Sequence, residues 1–89
     1  MIQRDLTITN RLGLHARATA KLVQLLSGFR CQATLEARGR EVNAKSIMGV
    51  MLLAAGTGTT VVLRVTGEDE AAAADAVTAL FERRFDEEA

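Results

Sequence analysis

The sequence predicts an α/β (α+β) fold: a two-layer open-faced sandwich ordered β-α-β-β-α-β-α. In that arrangement a four-stranded antiparallel sheet carries three helices on one face and leaves the other wet. Three observations carry the prediction. Short runs of alternating apolar and polar residues recur at Ile2–Ile8, Cys31–Ala37 and Val61–Val65. Between them lie segments whose apolar residues fall at helical spacing. The chain has 89 residues without linker, repeat or low-complexity segment, the length of one small domain running from residue 1 to residue 89.

Each element has its own signature. Ile2, Leu6 and Ile8 share one phase, broken by Arg4, and make the first strand. Thr9 to Leu14 has turn character and no period. Ala16, Ala20, Leu22, Val23 and Leu26 then form a helical stripe that stops near Ser27-Gly28. Cys31, Ala33, Leu35 and Ala37 alternate with polar residues, and Cys31 reads as a buried small hydrophobe. Arg38-Gly39 suits a hairpin turn into a short strand around Val42. Ser46 precedes a brief helix from Ile47 to Leu53, with Gly56 as its stop. Val61, Leu63 and Val65 alternate again, with Val62 on the opposite side. Asp69 opens a last helix with Ala73, Ala74, Val77, Leu80 and Phe81 inward and Asp75, Thr78 and Glu82 outward. The closing Asp86-Glu87-Glu88 run reads as a solvated tail. A split β-α-β connection keeps the crossover right-handed.

Composition excludes several functions. Hydrophobic residues make up 48% of the chain, and 11 basic side chains balance 11 acidic ones. One histidine and one cysteine cannot supply a tetrahedral zinc site, so no metal is expected. A lone cysteine forms no internal disulfide and suits a reducing, cytoplasmic setting. The neutral balance and the absence of Trp and Tyr argue against a nucleic-acid partner. No apolar stretch approaches the ~20 residues that cross a bilayer, so membrane insertion is not expected. Gly56-Thr57-Gly58 lacks the context of a phosphate-binding fingerprint, and no cofactor is expected.

His15 is the one side chain whose unperturbed pKa lies near neutrality. It stands between Leu12-Gly13-Leu14 and the first turn of the helix opening Ala16-Arg17. That turn has amides without intrahelical partners, and no Ser, Thr, Asp or Asn stands ready to cap them. A phosphoryl group on His15 would meet those donors, the positive helix end and the Arg17 guanidinium. Imidazole is a competent phosphoryl acceptor. On spacing alone, His15 reads first as a surface or half-buried histidine that happens to precede a helix. Ser46 caps the short helix, while Ile47, Met48 and Met51 on an exposed side would offer an adaptable apolar docking surface. Gly49 suits either close approach by a partner or a short helix.

Gly13-Leu14-His15-Ala16-Arg17, with Lys45-Ser46-Ile47-Met48-Gly49-Val50-Met51 downstream, resembles HPr. That family holds the histidine-containing phosphocarriers of the bacterial phosphoenolpyruvate-dependent sugar phosphotransferase system. The resemblance spans the whole chain. It implies that His15 is phosphorylated on Nδ1 by Enzyme I and passes the group to Enzyme IIA domains. It also implies that Arg17 helps hold the group, that Ser46 is a regulatory site for an HPr kinase/phosphorylase, and that Ala20, Ile47, Met48 and Met51 meet partners. The chain would then be a substrate of phosphotransferases rather than an independent catalyst, and a monomer by default. Two departures stand out: Ala18-Thr19 replaces the family's usual Pro-Ala, and Gln24 and Ser27 replace lysines. Alternatives remain a carrier of the nitrogen-related branch and a small α/β binding module that is never phosphorylated. Ser46 at the cap leans toward the sugar or carbon-regulation branch.

Overall fold

The computed structural model describes residues 1–87. Strands β1 (Ile2–Thr7), β2 (Cys31–Ala37), β3 (Arg40–Asn43) and β4 (Thr60–Gly67) form one antiparallel sheet in the order β1-β4-β2-β3. Helices α1 (Ala16–Ser27), α2 (Ile47–Leu52) and α3 (Glu70–Glu82) complete the order read from the sequence. Among the described residues, no helix is long and apolar enough to cross a membrane.

Register follows the alternation. Leu6, Ala33, Leu35, Ala37, Val61, Leu63 and Val65 are buried and face the helices. Arg4 interrupts that phase for a reason: its guanidinium reaches α3, donating to Thr78 Oγ1 at 3.0 Å and pairing with Asp75 at 2.7 Å. The opposite face is polar. There Arg64 bridges Glu36 at 2.6 Å and Glu41 at 2.8 Å, tying β4 to β2 and β3. The β2–β3 connection is the two-residue hairpin read from the sequence. Arg38 and Gly39 both have positive φ, 51° and 79°, as a primed turn requires.

Four local readings change. The inner face of α1 is Ala18, Thr19, Leu22 and Leu26, while Ala16 is exposed and Ala20 and Val23 are half-buried. Alanine marks neither face strongly, and threonine enters the core here because its hydroxyl has a partner. Helix α2 ends at Leu52, and Ala54, not Gly56, takes the left-handed conformation behind it with φ 49°. Cys31 is half-buried at the start of β2, and burial pushes its thiol pKa up. The tail reading fails for Asp86 and Glu87, which dock on α1 and its N-terminal loop; Glu88 lies outside the described residues.

Candidate functional site

The loop before α1 is fixed from within. Asn10 is fully buried, and its Nδ2 donates to the Gly13 carbonyl at 2.7 Å. Gly13 has φ +67°, and a Cβ there would stand 2.7 Å from the Ala55 carbonyl oxygen, so only glycine fits. The Leu14 amide donates to that same Ala55 oxygen at 2.9 Å, and Thr19 Oγ1 donates to the Leu14 carbonyl at 3.2 Å. This seats His15 as the N-cap residue of α1, with extended backbone and its carbonyl accepting from the Thr19 amide at 2.9 Å. Its side chain makes no capping bond. Among the described residues, the amides of Ala16, Arg17 and Ala18 therefore remain without an intrahelical or side-chain acceptor at the positive end of a 12-residue helix. Alanine in place of proline at the third of these positions leaves an extra N–H, not a broken helix.

The imidazole lies at the edge of a solvent-open basin. Arg11, Arg17 and Lys21 give it three cations, and Asp86 and Glu87 two carboxylates. His15 Nε2 is 2.6 Å from Glu87 Oε1. Burial pulls the Glu87 carboxyl upward, but the Asn10 amide, the His15 imidazole and the charge of Arg17 outweigh it and hold it below the usual carboxylate range. Arg17 thus lies close enough to be felt electrostatically. Among the described residues, no carboxylate forms an ion pair with Arg17, whose planar fork lines the basin. An imidazole beside a helix start and a guanidinium suits the receipt of a phosphoryl group.

Glu87 was missed in the sequence because it lies 72 residues from His15. The available signal was Phe85, one turn beyond Phe81: an apolar residue past the end of α3 means the chain is still docked. Its ring is buried, 4.8 Å from that of Phe81. Docking takes a left-handed turn in which Arg84, Phe85 and Asp86 have φ of 55°, 55° and 60°. Left-handed backbone costs roughly 1–2 kcal/mol per non-glycine residue, so surrounding contacts must hold it. Lys21 Nζ donates to the Phe85 carbonyl at 3.0 Å and to Asp86 at 3.3 Å, and Arg83 donates to Asp86 at 2.9 Å.

The second group of sequence-predicted residues sits on α2, which packs against α1. Ser46 is its N-cap, with Oγ accepting from the Gly49 amide at 3.1 Å. Gly49 is tightly seated in this turn: a Cβ would stand 3.2 Å from the Asn43 carbonyl oxygen and 3.3 Å from Ser46 Oγ. Ile47, Met48 and Met51 are exposed, Met48 by 75%. Leu12, from the His15 loop, and Leu52 are exposed as well and were not singled out in the sequence. The Gly13–Ala55 contact and the Leu14–Ala55 hydrogen bond join that loop to the segment after α2. Ala20 is half-buried on α1. No hydrogen bond links Ser46 to His15 among the described residues.

Comparison with known proteins agrees with this geometry. Residues 2–83 match the family model described as the PTS HPr component phosphorylation site. The chain is 61% identical over 88 residues to phosphocarrier protein HPr of Xylella fastidiosa (strain Temecula1 / ATCC 700964), covering 99% of each protein. It is 42% identical over 86 residues to phosphocarrier protein NPr of Shewanella violacea, covering 97% of this chain and 94% of that one. The crystal structure of HPr-C-His from Thermoanaerobacter tengcongensis superposes with a TM-score of 0.96 at 43% identity, over 100% of both chains. A full-length match in sequence and fold, with the GLHAR and KSIMGVM segments in place, makes this chain a member of the HPr family of PTS phosphocarriers.

Proposed function

We propose that His15 accepts a phosphoryl group from phosphorylated Enzyme I, which draws it from phosphoenolpyruvate, and hands it to Enzyme IIA domains in the cytoplasm. Residues 1–89 act as one carrier domain. The observation that carries this reading is His15 at the uncapped start of α1, in a basin with Arg11, Arg17 and Lys21. Neutral imidazole attacks phosphorus; the open amides and the Arg17 fork take up charge on the phosphoryl oxygens. The exposed Ile47, Met48, Met51, Leu52 and Leu12, with Ala20, give one apolar docking surface to unlike partners, and methionine adapts to each.

Ser46 has a second role in this reading. Phosphate at a helix N-terminus is locally favourable, so a phosphorylated Ser46 would act by placing negative charge within the docking surface, under an HPr kinase/phosphorylase. That regulation belongs with the sugar branch. A relay assay tests the whole reading: label from phosphoenolpyruvate, supplied with Enzyme I, should reach the chain in acid-labile form and leave it on addition of a sugar-specific IIA domain. Discharge only to a nitrogen-branch IIA domain would reassign the branch, and absence of incorporation would overturn the carrier role.

A further inference from the structure

We propose that Glu87 is a positioning residue of the His15 site: its carboxylate accepts the hydrogen on Nε2 and so leaves Nδ1 as the nucleophilic nitrogen of the ring. The inference rests on the phosphocarrier reading and deepens it. An ionised carboxylate only accepts, so the 2.6 Å contact between Glu87 Oε1 and His15 Nε2 puts the hydrogen on Nε2. In the neutral ring the other nitrogen then carries a free lone pair.

The contact is built, not incidental. Three consecutive non-glycine residues, Arg84, Phe85 and Asp86, take left-handed backbone to turn the chain back toward α1. Strain of that kind persists only where surrounding contacts over-determine it. Here they are the buried Phe85 ring on Phe81 and Lys21 holding both the Phe85 carbonyl and the Asp86 carboxylate. Glu87 is 15% exposed at its side chain. A carboxylate largely withdrawn from water is screened less than a fully exposed one.

The transfer step balances around this pair. The Nδ1 lone pair forms the bond to phosphorus as the donor's bond to phosphorus breaks, its electron pair leaving with the donor. The ring keeps its Nε2 hydrogen and gains positive charge, beside the Glu87 carboxylate. A carboxylate so placed on a histidine fixes the tautomer and stabilises the imidazolium, without itself taking the proton. On delivery to the next acceptor the ring recovers the pair and the charge disappears.

The test uses the intact chain labelled with nitrogen-15, whose single histidine gives one set of ring signals. At a pH where the ring is neutral, the wild type should show the Nε2–H tautomer predominating. Glu87→Ala should give a mixture of tautomers, and Glu87→Gln, which keeps an acceptor oxygen on the same stem, should restore the wild-type pattern. In rapid-quench transfer from phosphorylated Enzyme I, Glu87→Ala should lose about tenfold in rate at saturating donor, with the half-saturating concentration unchanged. Glu87→Gln should fall between, since it restores the tautomer without the charge. Ring signals that do not differ between wild type and Glu87→Ala would overturn the positioning role, and so would equal transfer rates. The spectra need no phosphoryl donor. A wild-type chain that shows the tautomer yet takes no label would therefore count against the carrier reading, not against the Glu87 contact.

Discussion

Arg17 and Glu87 flank the same imidazole with opposite charges, and the two differ in how they are held. Glu87 is fixed by a hydrogen bond, whereas Arg17 has no ion-pair partner among the described residues and contributes its charge across the basin. If the fork of Arg17 grips the phosphoryl oxygens, Arg17→Lys keeps the charge but loses the paired donors. Loss of one such donor from a buried site costs about 3 kcal/mol, roughly a hundredfold in rate. The open basin and the remaining helix amides reduce that here, to an expected five- to twentyfold loss (about 1–2 kcal/mol). Rapid-quench transfer to and from the variant checks it; unchanged rates in both directions would make Arg17 a solvated neighbour. His15 and Arg17 were legible in the sequence only through the resemblance that the GLHAR and KSIMGVM segments carry, because on spacing alone His15 read as an incidental histidine before a helix. Asn10, Thr19 and Glu87 were not. Each depends on a partner chosen by tertiary structure, and a threonine on a helix or a glutamate in a terminal run carries no mark of its partner.

At the scale of an element, the cap of α2 was fully readable. A serine before a helix-forming run predicted the hydrogen bond that Ser46 Oγ accepts from the Gly49 amide at 3.1 Å. Ser46→Ala should therefore cost about 1 kcal/mol in urea unfolding while leaving phosphoryl transfer intact. Aspartate also caps well, so Ser46→Asp should hold stability near wild type and still weaken association with Enzyme I, most of all at low salt. Equal transfer kinetics for Ser46→Asp and wild type would show that α2 lies outside the docking surface. The end of α2 was less readable, because Ala54 adopts a conformation usually left to glycine. Two nearby carbonyls explain how the end is held: Arg38 donates to the Leu53 oxygen at 2.9 Å and Arg40 to the Leu52 oxygen at 3.1 Å. The face of α1 was misread for a related reason. Alanines on every side blur its periodicity, and only the Thr19 hydroxyl bonded to Leu14 reveals which side is inward.

Over the whole molecule, strand alternation fixed the sheet and its burial, and the ends of the chain add contacts that alternation cannot encode. The amino group of Met1 hydrogen-bonds Glu70 at 3.0 Å, and the Gly67 amide adds a second bond, which together hold the Glu70 carboxyl below its ordinary range. Arg83 and then Lys21 do the same for Asp86. A carboxyl depressed in the folded state stabilises the fold above its unfolded pKa and loses that contribution as pH falls through the lower folded value. Thermal stability should accordingly be level from neutrality to about pH 5 and fall steadily toward about pH 2. The fall should shrink in Glu70→Gln and Asp86→Asn, and an unchanged melting temperature at about pH 2.5 would contradict these terminal contacts. The proposed role of this fold is to present His15 for phosphoryl transfer. It is tested most directly by charging wild type and His15→Ala with phosphoenolpyruvate and Enzyme I, then locating the phosphoryl group by peptide mapping under alkaline conditions. The wild type should carry one acid-labile group on residue 15, and His15→Ala none while melting close to wild type. Label on any other residue, or equal labelling of both proteins, would contradict it.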